Sequence, residues 1–361
     1  MGPGAPPGQS SRIVWGTIAV LVAGFAAAPV LLSHDVYSYV DYARLGVAHG
    51  LNPYVYPPAA APADPVYAEV EWTEATSAYG PLFTLLTYPL AWLPVDAAVA
   101  ALKALAAFSV LSTAALVYRL APARGVAPLP AAAFVALNPL VLIHVVGGAH
   151  NDGLAMLLAM IGVAGVLAAR EAVGGVALVA AIAIKASTAI VAPFALLGVA
   201  RLRHSPHQRV IEIGSAGRPL QRLLLGAAAA ALAVVAAAYA AFGWDWLDAI
   251  GLAGENQDRT SHMSIPITFA RLTDLDPAAV RAVALALFAA LFLYLLAQTW
   301  RGADWLRCAA WATLALLLAT AWLLPWYLIW LLPLAALSRD RPLQLLTLAL
   351  TAYQLPARMP L

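Results

Sequence analysis

Residues 13–32 read IVWGTIAVLVAGFAAAPVLL, and residues 33–42 continue as SHDVYSYVDY. The first stretch carries no charged side chain, and its 20 residues match the length that an α-helix needs to cross a bilayer. Arg12 precedes it, and Pro29 follows the small residues at 26–28, which favours an uncleaved signal anchor over a cleaved leader. The second stretch places aspartates and tyrosines directly after that predicted span.

The composition extends this interpretation to the whole chain. Of its 361 residues, 63% are hydrophobic and 11% are charged, whereas soluble globular proteins are roughly half apolar and about a quarter charged. A water-facing surface does not carry that much apolar sequence, so we expect much of it to face lipid. Residues 1–11, rich in Pro, Gly and Ser, predict a disordered cytoplasmic tail, and residues 12–361 predict one transmembrane domain.

Several functions of soluble proteins lack the residues that they need. The chain has one cysteine, Cys308, which excludes an intramolecular disulfide and a paired-cysteine zinc site. It contains no Walker loop, no GxGxxG after a predicted strand and no HExxH motif. The basic run 201–222 indicates topology and a contact with anionic lipid, and we expect no nucleic-acid partner.

Apolar runs separated by polar breaks predict an all-α polytopic membrane protein with about eleven transmembrane helices. Seven runs have ordinary lengths: 13–32, 95–118, 128–147, 153–170, 223–243, 277–298 and 304–322. The run 172–200 is too long for one span and predicts two short helices that meet near Lys185. The short runs 325–338 and 343–356 are counted as spans packed among others. Residues 80–93 are too few to cross and predict a re-entrant or interfacial helix.

The charge distribution predicts which loops lie on each side of the membrane. Lys and Arg concentrate in cytoplasmic loops. That rule puts the N-terminus inside, together with three arginine-bearing segments: 119–127, 201–222 and 339–342. A first outer loop, 33–79, and a second outer loop, 244–276, then lie outside and hold most of the eighteen acidic residues. Counting 80–93 as a full span would invert the loops that follow.

The first outer loop opens on Asp35, the leading candidate for a catalytic side chain. Ser33 can cap a helix over 34–49, on which Asp35, Tyr39 and Tyr42 share one face and Asp41 lies on another. A carboxylate beside tyrosines and apolar groups can accept a proton from a hydroxyl nucleophile. The alternative is that Asp35 only complements the helix dipole.

Aromatic side chains continue along the loop to Trp72 and Tyr79. Aromatic rings and carboxylates suit a sugar, which needs apolar faces to stack on and acceptors for its hydroxyls. Tyrosine and tryptophan at this depth also form the ordinary belt at a membrane interface. Both interpretations stay open on the residues alone.

Further polar side chains lie near the predicted outer face. His150, Asn151 and Asp152 between two spans either cap the next helix or hydrogen-bond the sugar or phosphate of a donor. Lys185 either binds a phosphate or forms a structural ion pair with an acid such as Asp152. Arg271 in the second outer loop is a candidate phosphate ligand.

Two other cations have simpler interpretations. Arg259 is expected to pair with its neighbours Glu255 or Asp258. Lys103, inside the run 95–118, is expected to snorkel towards the outer surface. No local cluster of metal ligands appears, so no cofactor is expected, although the outer acids leave a divalent ion possible.

The ordered motifs resemble those of the polyprenyl-phosphate-mannose-dependent α-(1→6)-mannosyltransferases of actinobacterial lipoglycan synthesis, which are GT-C glycosyltransferases. The residues that carry the resemblance are Asp35-Val36-Tyr37-Ser38-Tyr39, Gly50-Leu51-Asn52-Pro53-Tyr54, Tyr79-Gly80-Pro81, Asn138-Pro139, Gly147-Gly148-Ala149-His150-Asn151-Asp152, Lys185 and Pro325-Trp326-Tyr327-Leu328-Ile329-Trp330. The resemblance implies a GT-C-like bundle that uses a lipid-phosphate sugar at the outer membrane face, with Asp35 as the base. Members of that family are longer at the C-terminus, so their acceptor site transfers least well.

The sequence therefore predicts a multi-pass glycosyltransferase of the cell membrane. It would move a sugar, mannose by the resemblance, from a polyprenyl-phosphate donor to a hydroxyl of a glycan or glycolipid acceptor, with inversion and at the extracytoplasmic face. Lys185 and Arg271 would hold the phosphate, while His150, Asn151 and Asp152 would orient the donor. The alternatives are a transporter or lipid flippase, and a non-catalytic homologue that binds polyprenyl phosphates.

Overall fold

A computed structural model describes residues 8–202, 219–249, 251 and 259–357 of the protein. These residues form α-helices and short helical turns, and no β-strand occurs among them. The α-helices in this part of the chain are α1 (Gln9–Ala27), α2 (Asp35–Ala48), α3 (Pro81–Thr87), α4 (Val95–Leu120), α5 (Pro128–Ala136), α6 (Asp152–Leu167), α7 (Glu171–Ile184), α8 (Ala192–Leu202), α9 (Pro219–Phe242), α10 (Ile265–Thr273), α11 (Pro277–Arg301), α12 (Trp305–Ala319), α13 (Leu332–Leu337) and α14 (Arg341–Gln354). The all-α prediction is confirmed.

Four of these helices, α1, α4, α9 and α11, are long and apolar enough to cross a membrane. The rest of the protein covers 44% of the apolar stretch of α4 but 6% of that of α11. α4 is therefore a central helix, whereas α11 presents its apolar side chains outward, as a lipid-facing helix does. Other apolar helices, such as α6, α7 and α12, have fewer than 18 residues, so the count of about eleven spans stays a prediction.

The first predicted span ends earlier than its apolar run. α1 stops at Ala27 because Pro29, two residues later, supplies no N–H donor to continue the helix. Lys103 of α4 satisfies the carbonyl groups at this end, since its Nζ donates to Ala28 and, over 3.0 Å, to Pro29. The expectation that Lys103 snorkels outward is therefore wrong: its side chain is buried where it closes the end of α1.

The predicted span 128–147 is not one continuous helix. α5 ends at Ala136, and a π-helical turn over Val141–Val146 follows after Asn138 and Pro139. The proline removes a backbone donor, and Asn138 bonds instead to Leu140 N and Thr351 Oγ1, both over 3.0 Å. By contrast, the predicted break at Lys185 is confirmed. α7 ends at Ile184, Lys185 is extended and a 3₁₀ turn precedes α8.

Small residues set the closest helix approach in the bundle. A Cβ atom added at Gly175 of α7 would lie 2.1 Å from the Leu223 carbonyl oxygen of α9. A Cβ atom added at Gly226 of α9 would lie 2.1 Å from the Ala172 carbonyl oxygen of α7. The two backbones therefore pack in direct contact, which is how apolar helices associate where no water drives them together.

The first outer loop folds back over α2 and is fastened to it by one carboxylate. Asp64 accepts hydrogen bonds from Arg44 Nε over 2.8 Å and from His49 Nε2 over 2.7 Å. Burial alone would raise the pKa of Asp64, but these bonds outweigh burial and hold its pKa below the usual value. The loop is further tied to the end of α9, where Asn52 Nδ2 donates to the Phe242 carbonyl oxygen over 2.9 Å. α2 and its loop are thus a braced platform.

Candidate active site

A cavity of about 150 Å³ lies where the first outer loop meets Lys185 and the turn before α13. Carboxylate, ammonium and guanidinium groups share it with several aromatic rings. Its lining residues are Asp35, Tyr42, Trp72, Ala75, Thr76, Ala78, Tyr79, Lys185, Arg259, Trp322, Leu324, Trp326 and Tyr327. Segments far apart in sequence therefore meet at one polar and aromatic pocket, the usual character of a small-molecule site.

Asp35 is the first residue of α2 and reaches the cavity from its base. The residue before it, His34, occupies the cap position and makes no side-chain capping bond. Burial raises the pKa of Asp35 to about 6, the charge of Lys185 opposes that rise, and Asp152 and Glu71 add to it. Its Oδ2 lies 3.7 Å from His150 Nδ1. A carboxylate with this pKa is poised to exchange a proton near neutral pH.

The three predicted tyrosines form one aromatic wall, in two layers. Tyr42 and Tyr79 line the cavity, whereas Tyr39 is buried behind them. The ring of Tyr39 meets those of Tyr79 and Phe83 edge-on, with centroids 4.7 and 4.9 Å away. Tyr42 donates its hydroxyl to the Ala75 carbonyl oxygen over 2.8 Å, which fixes the loop against the wall. Helical spacing predicted that Tyr39 and Tyr42 lie on the same face of α2 as Asp35. Asp41, predicted on another face, is not among the cavity residues.

His150, Asn151 and Asp152 lie beneath the cavity rather than in its lining. The His150 ring stacks on Trp326, with centroids 3.7 Å apart and planes 17° from parallel. Burial first, and the charge of Lys185 second, lower the pKa of His150, so the ring is neutral. The side-chain nitrogens of His150 and both polar side-chain atoms of Asn151 have no hydrogen-bond partner among the described residues. Asn151 makes no side-chain cap of α6 either.

Asp152 is fully buried and paired from two sides. Its Oδ2 accepts from Lys185 Nζ over 2.7 Å, and its Oδ1 accepts from Trp330 Nε1 over 2.7 Å. The ion pair considered from the sequence is therefore present. Lys185 nevertheless stays 20% exposed at the side chain and lines the cavity, with its Nζ 5.3 Å from the centroid of Tyr327. Asp152 positions an ammonium group that still faces the pocket.

The structure brings one of the two arginines of the second outer loop to the cavity. Arg271 is exposed on α10 and is not among the residues that line the cavity. Arg259 lines it and lies over the Trp72 ring, with its guanidinium carbon 4.6 Å from the ring centroid. The expected partners Glu255 and Asp258 lie outside the described residues.

The turn Pro325–Trp330 carries part of the family resemblance, but sequence reasoning assigned no site role to Trp326 or Tyr327. Trp326 is buried against His150, and the Tyr327 ring stacks on Trp330 with centroids 4.1 Å apart. The available signal was Pro325 inside an apolar run, which breaks the helix and turns the rings inward.

The residues that the structure describes hold no group of three or more His, Cys, Asp or Glu side chains arranged to bind a metal ion. Of the carboxylates near the cavity, Asp152 accepts hydrogen bonds from Lys185 and Trp330, and Asp35 lies close to His150.

Comparison with known proteins gives a consistent family. Residues 2–201 match the family described as "Alpha-(1->6)-mannopyranosyltransferase, N-terminal domain". The chain is 32% identical to "Alpha-(1->6)-mannopyranosyltransferase A" of Mycobacterium tuberculosis, over 86% of this chain and 63% of that relative. It is 33% identical to the protein of the same name from Corynebacterium glutamicum, over 49% of this chain and 37% of the relative. The chain thus spans less than two thirds of the length of these relatives.

Proposed function

Because the chain belongs to the alpha-(1->6)-mannopyranosyltransferase family, we propose that it transfers a mannosyl group to a hydroxyl of a glycan or glycolipid acceptor. The donor is a polyprenyl-phosphate sugar, and the anomeric carbon is inverted. The observation that carries this proposal is Asp35, a carboxylate with a pKa of about 6 in a cavity that also holds two cations and several aromatic rings.

Asp35 acts as the general base. Its carboxylate takes the proton of the acceptor hydroxyl, the hydroxyl oxygen forms a bond to the anomeric carbon, and the bond from that carbon to the lipid phosphate breaks. The proton stays on Asp35 until solvent removes it, and the phosphate leaves with the bonding electrons. A base with a pKa near the working pH serves this step well.

Lys185 and Arg259 stabilise the phosphate as negative charge develops on it. Both line the cavity with Asp35, and a guanidinium group matches two phosphate oxygens at once. Arg271 was the phosphate ligand expected from the sequence, but Arg259 replaces it here because it borders the cavity. Asp152 holds Lys185 in place, and the rings of Tyr42 and Tyr79 offer apolar surfaces to the sugar.

The reaction takes place at the extracytoplasmic face of the cell membrane. Support comes from the charge pattern, because the cavity is built on the acidic first outer loop while arginines gather at the other ends of the same helices. Trp322 and Trp326 at the cavity suit the depth of a lipid-linked donor, whose phosphate lies at the interface.

Replacement of Asp35 by asparagine tests the assignment. Asp35→Asn keeps the shape of the side chain but removes the base, so we expect kcat to fall by about 10²–10⁴-fold, with donor binding retained. The measurement is mannosyl transfer from a synthetic lipid-phosphate mannose by purified protein. Asp41→Asn is the matched control, a buried aspartate of the same helix that does not line the cavity, and we expect it to keep activity.

Three results would contradict the proposal. Full transfer by a folded Asp35→Asn variant would remove the base. Donor binding by the unmodified protein without any glycosyl product would favour a non-catalytic binding homologue. Uptake of substrate into liposomes without product would favour a transporter.

A further inference from the structure

A second cavity, of about 400 Å³, opens between α11 and α12. One wall of the cavity is formed by α11, with Leu291, Tyr294, Leu295 and Gln298. The opposite wall is formed by the α11–α12 turn and α12, with Ala303, Asp304, Arg307, Cys308 and Trp311. Arg307 lies at the start of α12, whereas Trp322 of the first cavity lies beyond its end. At 1.5 Å per residue, the 12 positions from Arg307 to Ala319, the last residue of α12, span about 18 Å.

The lining changes from apolar to polar along the cavity. Leu291, Tyr294, Leu295 and Gln298 follow one another at helical spacing on one face of α11, over about 10 Å. Leu291 marks the apolar end of this face, and Gln298 marks its polar end. A ligand that complements this gradient has a hydrocarbon part and a polar head.

Tyr294 lines the cavity and is also one of the apolar side chains that α11 exposes. Leu287, Leu293 and Tyr294 are 66%, 65% and 56% exposed, and 6% of the apolar stretch of the helix is covered. In a helix long enough to cross a membrane, this surface meets lipid chains. The ligand therefore enters sideways from the bilayer.

The polar end of the cavity lies among arginines. Arg307 pairs through Nε with Asp340 over 2.6 Å, yet its side chain remains 58% exposed, and a guanidinium has further N–H donors. Asp304 at the same rim is paired with Arg124. Two further arginines are exposed near these acids in the sequence. Arg301 ends α11, three positions before Asp304, and Arg341 begins α14, directly after Asp340. The acids are thus compensated, and the excess charge is positive.

We propose that this cavity binds an anionic phospholipid of the cytoplasmic leaflet, with one acyl chain along Leu291 and Leu295 and the phosphate on Arg307. Gln298 supplies an amide donor to the same headgroup. The arginine-rich end of the bundle is the cytoplasmic end by the positive-inside rule, and anionic lipids are attracted there. The site is independent of the transfer reaction, which is assigned to the opposite end of α12.

The test is native mass spectrometry of the delipidated full chain titrated with phosphatidylglycerol or phosphatidylcholine of equal chain length. We expect phosphatidylglycerol to bind with the higher affinity. Arg307→Ala should weaken that binding about tenfold or more, because it removes hydrogen bonds to a charged group. Leu291→Trp fills the apolar end without touching the ion pair, and it should weaken both lipids.

Arg119→Ala is the matched control, an exposed arginine at the same end of the bundle that does not line the cavity. We expect it to bind phosphatidylglycerol as the unmodified chain does. Equal affinity for the two lipids, or unchanged binding in Leu291→Trp, would overturn the proposal. Equal binding of glycerol 3-phosphate alone would overturn the acyl-chain part. If Arg307→Ala does not fold, Leu291→Trp and the lipid comparison still decide.

Discussion

The carboxylate of Asp35 is subject to two opposing influences. Burial raises its pKa, and the ammonium of Lys185 lowers it, with a resulting pKa of about 6. The ammonium is in turn fixed by Asp152, which is buried and would be left as an uncompensated charge if Lys185 were removed. The ion pair between Lys185 and Asp152 therefore influences the pKa of Asp35.

This balance predicts a pH dependence of the transfer reaction. The proposed base, Asp35, would work as the carboxylate, so kcat/KM should be lost as the pH falls through about 6 and should level off above it. Below the pKa we expect about a tenfold loss per pH unit. Initial rates between pH 4.5 and 8 with the lipid-phosphate donor check this.

The same profile reports on Lys185. The charge of Lys185 lowers the pKa of Asp35, so Lys185→Met should move the acidic limb to higher pH, in addition to any loss of rate. Arg119→Ala, far from the cavity, serves as control and should leave the limb in place. An acidic limb that stays at the same pH in Lys185→Met would show that Lys185 and Asp35 do not interact.

At the scale of elements, the residue that follows the first outer loop, Gly80, makes a close contact with the end of α7. Gly80 N donates to the Ile184 carbonyl oxygen over 3.2 Å, just before Lys185. A Cβ atom at Gly80 would lie 2.1 Å from the Ala183 carbonyl oxygen. The backbone that carries Tyr79 therefore rests directly on the backbone that carries Lys185.

Replacement of this glycine should separate the two elements. We expect Gly80→Ala to destabilise the protein by about 1–3 kcal/mol through overpacking and to lower transfer activity, since Tyr79 and Lys185 both line the cavity. Thermal unfolding in detergent and the transfer assay measure the two effects. Gly24→Ala in α1 is the control: nothing lies within 4 Å of its added Cβ, so stability should hold or rise. A stable, active Gly80→Ala variant would contradict the contact.

Sequence reasoning predicted the elements where local chemistry decides them. The break at Lys185, the start of α2 near Asp35 and the shared face of Tyr39 and Tyr42 all follow from breakers and helical spacing. The end of α1 and the interruption after α5 were missed, because apolar runs alone do not show where a helix stops. Pro29 and Pro139 carried that information.

Side chains brought together by tertiary packing were predicted less well. Trp326 contacts His150 across more than 170 positions, so no local spacing reveals the pair. The sequence favoured Arg271 as the phosphate ligand over Arg259, which has acidic neighbours, but the fold places Arg259 at the cavity. The prediction for Lys103 was wrong because its partners are two backbone carbonyl groups, which no residue type in the sequence indicates.

At the scale of the whole molecule, the proposed orientation can be read by chemical labelling. The chain has one cysteine, Cys308, and it is buried, so Cys308→Ser gives a background without reactive thiols. In that background we expect Val55→Cys in the first outer loop to react with a membrane-impermeant maleimide on intact cells. Ala123→Cys, exposed after α4, should react once the cells are permeabilised. The reverse pattern would invert the topology.

The turn Pro325–Trp330 has a consequence for how this site can change. Trp326 supports His150, Tyr327 lies against Lys185, and Trp330 holds Asp152. These three supports occupy one uninterrupted hexapeptide, so exchange of this short block between related chains carries all of them together. Chimaeras that exchange the hexapeptide as a block should keep the supports mutually compatible, whereas point-by-point shuffling passes through combinations in which one partner has lost its ring.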